Sequence, residues 1–394
     1  MRVAIVAEYY PRADDPVLGV WAHRQALAAR DAGAEVRVLV LHRPLPPLAA
    51  ARRGDVRALR AALRQPRRTQ LDGVEVTYVP YLSPPRPWSY GAWGAWAAPA
   101  LGMALRRLRR ELPFELIHAH YAVPAGDAVR RAADATPLVV SVHGGDVLAT
   151  AQRSAYARRT VARTFRHARL VLANSAGTEA RCRALGARAT CVVHLGTDLA
   201  ATSPPRPADA PPTLVTVGHL VARKRHADVL EALALLAPSH PGLRYEIVGD
   251  GPERAALEAL ASARGVRDRV DFAGQLPPAQ ARARAAAADL FVLPSVDEAF
   301  GVAYVEAMAA GIPAIGCAGE DGPEEIAAAG PGLVQVTPHD PRALAAEVDR
   351  LLRDAPARAA LGQAARETVE RCFTWERCGR RTVAAYEDAL RASG

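Results

Sequence analysis

Short apolar, β-branched runs alternate with helix-length stretches along the whole 394-residue chain, and this alternation leaves few folds open to it. Val3 to Ala7, a helical Val20 to Ala32 and Glu35 to Leu41 form a βαβ opening. Strands are expected again at Val74 to Val79, Leu116 to His120, Leu138 to Val142, Leu170 to Ala173 and Cys191 to His194. The pattern breaks at residues 201–212, whose prolines sustain neither helix nor central strand. It then restarts with strands at Thr213 to Val217, Tyr245 to Val248, Val270 to Phe272, Leu290 to Leu293, Pro313 to Gly316 and Leu333 to Val336. Helices are expected between them at Ala227 to Leu236, Glu253 to Arg264, Val302 to Ala310 and from Pro323. The expected fold class is α/β: two doubly wound, Rossmann-like domains facing a central cleft. The first covers residues 1–200, a linker 201–212, the second domain 213–372, and a closing helix 373–394 returns to the first domain. Ligands of such sheets bind beyond the carboxyl ends of the strands, so function is expected in the strand-to-helix loops.

Charge narrows the partners. Fifty basic residues against 41 acidic ones give +9, which favours a nucleotide, a phosphorylated substrate, nucleic acid or acidic lipid. Nucleic acid is disfavoured, because the arginines are dispersed rather than gathered in a recognisable module. Nearly all the basic residues are arginine, and Lys224 is the only lysine. Five scattered cysteines without CxxC spacing argue against a disulfide framework and a zinc site, and fit a reducing, cytoplasmic setting. The run Val3 to Ala7 is too short for a signal segment, and Trp93 to Leu105, interrupted by Pro99, is too short for a membrane span. Two basic stretches, Arg52 to Arg68 and Trp88 to Arg110, are read equally as solvated arginine faces or as contacts with anionic membrane. The second adds Trp88, Trp93 and Trp96, so peripheral association at the inner face of a membrane is one expectation.

The segment Asp297 to Pro313 carries Glu298 and Glu306 around a glycine, Gly301, at an expected helix start. Free N–H groups and the positive dipole end there suit a phosphate. Alone, the two carboxylates are read as an N-cap acid, Glu298, and a solvated or paired helix acid, Glu306. They are not alone: the loop from Val217 to Arg225 brings Lys224 toward the same strand ends, where an ammonium can neutralise a diphosphate. Two more glycine-bearing loops follow strands, at Gly249 to Gly251 and at Gly274. His118 and His120 are expected on opposite faces of their strand and therefore not on one metal. The only adjacent aspartate pair, Asp14 and Asp15, lies in a loop, so no metal and no cofactor are expected.

In this order and over essentially the whole chain, these motifs resemble the retaining glycosyltransferases of family 4, which have the GT-B fold. The resemblance implies a nucleoside diphosphate sugar as donor and a hydroxyl acceptor, a glycan or lipid-linked glycan. It implies that Glu298 holds the transferred sugar, that Phe300, Gly301 and Val302 offer backbone donors to sugar and phosphate, and that Glu306 holds the ribose. Lys224 matches the lysine on the diphosphate. His219 stands where an arginine is usual, with Arg223 or Arg225 as compensating cations. Leu276 matches the segment beside the base, and Gly19 matches the glycine loop beneath the phosphates, with one glycine where two are usual. Ser141 to Asp146 resembles the family's His-Gly-x-Asp stretch, which makes His143 a member of the reaction centre. His120 and Asp146 are assigned to the acceptor side. Glu298, His143 and Lys224 are therefore the expected catalytic residues. The segments at Gly19 to His23, His118 to Pro124 and Gly319 to Ile326 are similar to bacterial transferases of teichuronic acid or exopolysaccharide type. A nucleotide-sugar epimerase and a non-catalytic nucleotide-sugar-binding protein remain alternatives. A Rossmann dehydrogenase is weakest, because no G-x-G-x-x-G follows the first strand.

Overall fold

The computed structural model describes residues 1–13, 15–45, 64–199 and 210–391. Asp14, the basic run up to residue 63 and the linker up to residue 209 lie outside the described residues. The chain divides into two compact units, Met1–Leu195 with Trp375–Gly394, and Gly196–Thr374.

In the first unit the elements are β1 (Arg2–Ala7), α1 (Val20–Asp31), β2 (Glu35–His42), β3 (Arg68–Leu71), β4 (Val74–Pro80), the short α2 (Arg86–Ser89) and α3 (Trp93–Glu111). They continue with β5 (Leu116–His120), α4 (Asp127–Ala132), β6 (Leu138–Val142), α5 (Ala155–His167), β7 (Leu170–Ala173), α6 (Ala176–Ala184) and β8 (Thr190–Val192). The strands order β3-β4-β2-β1-β5-β6-β7-β8, all pairs parallel except β3 with β4. Strand order reverses between β1 and β5, so the switch-point crevice lies at their carboxyl ends. The sequence reading missed β3, because Arg68-Thr-Gln-Leu71 alternates no apolar face. Its hairpin was signalled nonetheless by Asp72-Gly73, both at positive φ, the residue pair that a tight hairpin turn demands. Pro99 did not end α3, which runs 19 residues. The proline is exposed, on the side of the helix away from the core.

The second unit contains β9 (Thr213–Val217), α7 (His226–Leu236), β10 (Arg244–Val248), α8 (Arg254–Ala263), β11 (Val270–Gly274), α9 (Pro278–Ala286) and β12 (Leu290–Val292). It ends with α10 (Val302–Ala309), β13 (Ala314–Cys317), α11 (Asp321–Ala329), β14 (Leu333–Val336), α12 (Pro341–Arg353) and α13 (Ala355–Cys372). The order β11-β10-β9-β12-β13-β14 is wholly parallel and reverses between β9 and β12. These strands read as near-continuous apolar runs because helices cover both faces of a parallel sheet.

The last helix, α14 (Trp375–Arg391), belongs to the first unit. It packs on α1 at Gly379, where a Cβ would stand 2.1 Å from the Ala28 carbonyl oxygen. Gln25 Nε2 donates to Thr382 Oγ1 at 3.1 Å, and Tyr386 is fully buried against β5. Both units carry the architecture of the GT-B fold, two parallel-sheet Rossmann-like domains. The five cysteines are all free thiols. Among the described residues, no helix is long and apolar enough to cross a membrane.

Candidate active site

In the second unit, the loops after β9 and β12 flank the strand reversal, and they carry Lys224 and Glu298. Val296 N donates to Arg223 O at 2.8 Å, which ties the two loops together. The Lys224 ammonium donates to Glu298 Oε2, and Ser295 Oγ donates to the same oxygen at 3.0 Å. Arg223 lies 3.6 Å from it. Glu298 is buried, with 7% of its surface exposed, and burial alone would push its carboxyl up. The Lys224 and Arg223 charges and the two hydrogen bonds outweigh that, so the carboxyl is held below its ordinary value. It is therefore ionised at neutral pH, an acceptor of hydrogen bonds and a fixed negative charge rather than a proton donor.

Glu298 is not the N-cap acid of the simplest reading. Gly301 stands at the cap of α10 at φ 84°, no side chain caps that helix, and its first turn holds no acid. A Cβ at Gly301 would meet the Tyr304 ring at 2.4 Å, so only glycine fits. The first amides of α10 thus face the carboxyl ends of the strands beside Lys224. Glu298 is held from behind: its amide donates to Glu320 Oε2 at 3.0 Å, and its carbonyl accepts from Gly322 N at 2.8 Å. Phe300 is buried against Phe373, so it offers only backbone outward. Val302 and Glu306 are half-buried on α10, and Arg282 lies 3.7 Å from the Glu306 carboxylate. His219 is exposed, and its carbonyl accepts from Val221 N at 2.9 Å; Leu276 is half-buried beyond Gly274. Ser295, Tyr304 and Glu320 escaped the sequence reading. Ser295 and Tyr304 are ordinary residues of a strand end and a helix, and only the fold brings them to Glu298.

In the first unit, the loops after β1, β5 and β6 carry the other candidates. Gly19 caps α1 at φ 65°, and a Cβ there would strike the Tyr9 backbone at 2.2 Å. The expectation that His118 and His120 point apart is corrected: residues two apart on a strand share a face, and their ring centroids lie 4.5 Å apart. His118 Nδ1 is 2.7 Å from Tyr386 Oη and its Nε2 2.7 Å from Ser141 Oγ. His120 Nδ1 lies 3.0 Å from His143 Nε2 with the two rings parallel. Burial pushes His118 and His143 down to about 3, and His120 well below its ordinary value, with repulsion from neighbouring rings adding to it. All three imidazoles are neutral at physiological pH. A neutral pair sharing one N–H···N bond has two tautomeric arrangements, and each fixes what His143 Nδ1 and His120 Nε2 present. Neither of these atoms has a protein partner.

His120 is fully buried and touches the loop surface only through His143. Asp146 is also fully buried. Its Oδ1 accepts from Ala122 N at 2.7 Å and joins the loop after β6 to the loop after β5. Burial pushes its carboxyl up to about 7, against the backbone amides that favour its charge. Half-buried rings surround His143: Tyr121 at 5.1 Å, Trp21 at 6.2 Å, and Tyr9, itself 5.1 Å from Tyr121. The sequence reading did not single out Tyr9. Among the described residues, no group of three histidines, cysteines or acids has metal-holding geometry.

Residues 18–201 match the family described as Glycosyltransferase Family 4, and residues 202–368 match Glycosyl transferases group 1. Together the two matches span most of the chain, whose two halves each carry a glycosyltransferase domain. The exopolysaccharide phosphotransferase of Streptomyces coelicolor is 36% identical over 41% of this chain, but the chain spans only 17% of that relative's length. TuaC of Bacillus subtilis, named as a teichuronic acid biosynthesis glycosyltransferase, is 27% identical over 80% of both chains. Among solved structures, the sucrose-phosphate synthase of Thermosynechococcus elongatus superposes with a TM-score of 0.78 over the whole of both chains at 22% identity. Anabaena HepE, solved with UDP and glucose, gives 0.72 over 98% of this chain and 99% of its own at 20% identity. These two likenesses establish the GT-B fold of the chain. In both of its units, the residues singled out from the sequence stand at the carboxyl ends of the parallel strands, in the loops there or in the strand ends and helix starts that flank them.

Proposed function

We propose that this chain transfers a glycosyl group, with retention of configuration, from a nucleoside diphosphate sugar to a hydroxyl of a cell-surface glycan or lipid-linked glycan. The observation that carries the reading is the Lys224–Glu298 pair beside the uncapped, glycine-started α10. An ammonium and a row of helix amides at one point are complementary to a diphosphate. A buried carboxylate, ionised at neutral pH, next to them is complementary to the positive charge that grows on the sugar ring as the diphosphate leaves. The bond from the anomeric carbon to the phosphate oxygen breaks, and the electron pair leaves with the diphosphate, stabilised by Lys224 and the α10 amides. The acceptor oxygen bonds to the anomeric carbon from the same face and loses its proton to the departing phosphate oxygen.

Glu306 holds the ribose, Leu276 the base, and Gly19, His219 and Arg223 the phosphates in this scheme. His143, neutral and ringed by Tyr9, Trp21 and Tyr121, suits a sugar, whose faces are apolar and whose edges bear hydroxyls. His120 and Asp146 act from below, through His143 and the Ala122 backbone. The scheme uses no metal. The UDP carried by HepE and the surface-polysaccharide name of TuaC support the choice of donor and acceptor class.

Thermal denaturation with UDP, GDP, ADP and CMP and their sugar conjugates, with and without EDTA, tests the donor. A ligand at a hundred times its dissociation constant stabilises by about 2.7 kcal/mol, a shift of a few degrees at this size. The expected outcome is a shift with one diphosphate that EDTA does not abolish. No shift with any of them would leave a non-catalytic protein.

A further inference from the structure

Helices α3 and α5 lie over the same side of the first sheet, because the inward residues Trp93, Leu101, Leu105 and Leu108 of α3 share one core with Val161 and Phe165 of α5. Their outward faces therefore lie on one side of the unit. The turn that leads into α3 packs directly on α5: a Cβ at Gly91 would stand 2.9 Å from that of Ala157, and Arg153 lies over the Tyr90 ring at 5.7 Å.

An outward face should be polar, and this one is not. On the two helices Trp96 is 53% exposed, Met103 62% and Tyr156, next to Ala157, 49%, and in the segment that leads into α3 Leu82 is 65% and Trp88 74% exposed. Residues 88–105 hold no charged side chain. Of the three tryptophans expected to act together, Trp93 is turned inward, and its indole N–H donates to Pro84 O and Ser89 Oγ. Trp96 and Met103 are seven residues apart, two helical turns along one line. The same line becomes cationic at Arg106 and Arg110, both exposed. On α5 the outward residues Arg158, Arg159, Arg163 and Arg166 are exposed, and that helix contains no acid. None of these six arginines has a carboxylate within salt-bridge distance among the described residues.

We propose that this face, exposed indoles and thioether beside unneutralised arginines, docks the protein peripherally on an anionic lipid bilayer. Trp88, Trp96 and Met103 enter the headgroup boundary while the guanidinium groups meet lipid phosphates. Nucleic acid would also attract the arginines, but it offers no use for exposed Leu82 and Met103. Lipid binding needs no donor or acceptor, so its test is independent of the proposed transfer reaction.

Co-sedimentation with phosphatidylcholine vesicles, with and without phosphatidylglycerol, at low and high salt, tests the proposal. The protein is expected to bind only the anionic vesicles and to be released by salt. Trp88→Ser with Trp96→Ser, and separately Arg106→Gln with Arg110→Gln, should each weaken binding by about tenfold or more. Brominated acyl chains should quench the native fluorescence, and this quenching should vanish in the double tryptophan variant, which retains Trp21, Trp93 and Trp375. All substituted side chains are exposed, and circular dichroism checks the fold. No binding to anionic vesicles at low salt would overturn the proposal. So would binding that both variants retain, or equally tight binding to single-stranded RNA that the tryptophan variant leaves intact.

Discussion

The two units use one topology and opposite electrostatics. Each has a largely parallel sheet whose strand order reverses at its first strand, and each places its candidate residues around the strand ends at that reversal. In the second unit the centre is an ion pair, Lys224 with Glu298, whose carboxyl is ionised despite burial because the Lys224 and Arg223 charges offset its desolvation. In the first unit the centre is a run of neutral imidazoles, His118, His120 and His143, uncharged because burial leaves the imidazolium no counter-ion. The comparison teaches that the switch point supplies only a place, and that local partners decide whether it manages charge or hydrogen bonds. A diphosphate needs charge, and a sugar hydroxyl needs a neutral donor or acceptor.

Breaking the charged centre should have the largest effect. Glu298→Gln should lower kcat by about a hundredfold or more while nucleotide affinity stays nearly unchanged, since the lost charge matters mainly as the sugar becomes cationic. Equal losses in turnover and in nucleotide binding by calorimetry would refute that role. Lys224→Ala should instead cost folding stability, about 3 kcal/mol by denaturant titration, because it leaves the buried Glu298 carboxylate with only Arg223 at 3.6 Å and the Ser295 hydroxyl as partners. Combining the two substitutions should return part of that loss, the sign of direct coupling.

At the neutral centre, His120→Phe fills the volume but removes the partner of His143 Nε2. It should lower kcat about tenfold without changing nucleotide affinity, and His120→Asn, which restores a polar atom near Nδ1, should recover most of it. If His143→Ala is itself without effect, the role of His143 falls. If only His120→Phe is without effect, the positioning by His120 falls alone. Nitrogen-15 spectra of the histidine rings should show neutral tautomers down to about pH 5.

The smallest effect sharpens the comparison by pH. His118, His120 and His143 have folded values below their unfolded ones, so the unfolded chain takes up protons first as pH falls below about 6.5, and stability drops. Asp146 works the other way: its folded value near 7 lies above its unfolded one, so between about pH 7 and pH 4 the folded state binds the extra proton and gains as pH falls. Glu298, held low, loses its contribution only below about pH 4. Asp146→Asn removes the counterweight, and its loss of stability from pH 7 to pH 5 should therefore be steeper than in the parent. An unchanged slope would mean that Asp146 is ionised at neutral pH.

Most of the architecture was legible because it is local. Leu116 to His120, Leu138 to Val142, Leu170 to Ala173 and Thr213 to Val217 were bounded to the residue, since each is a short, largely apolar or β-branched run between helix-length stretches or turns. The hairpin strand β3 was missed, because an edge strand paired on one side needs no apolar face. The loops bearing Lys224, Glu298 and His143 could be placed from the strands before them. Their chemistry could not. That Lys224 meets Glu298, 74 residues away, depends on β12 pairing with β9, and that His120 meets His143 depends on β6 pairing with β5.

The sequence by itself determined which segments became strands and helices, the glycines at which each loop must turn, and which charges the chain has to offer. Periodicity and backbone sterics act over a few neighbours, and neighbours are what a sequence displays. Only the tertiary structure decided that Trp93 is core while Trp96 is surface, that Glu298 remains ionised, and that three histidines remain neutral. Burial and pairing are sums over residues brought together from distant parts of the chain, and strand order, not spacing, sets those sums.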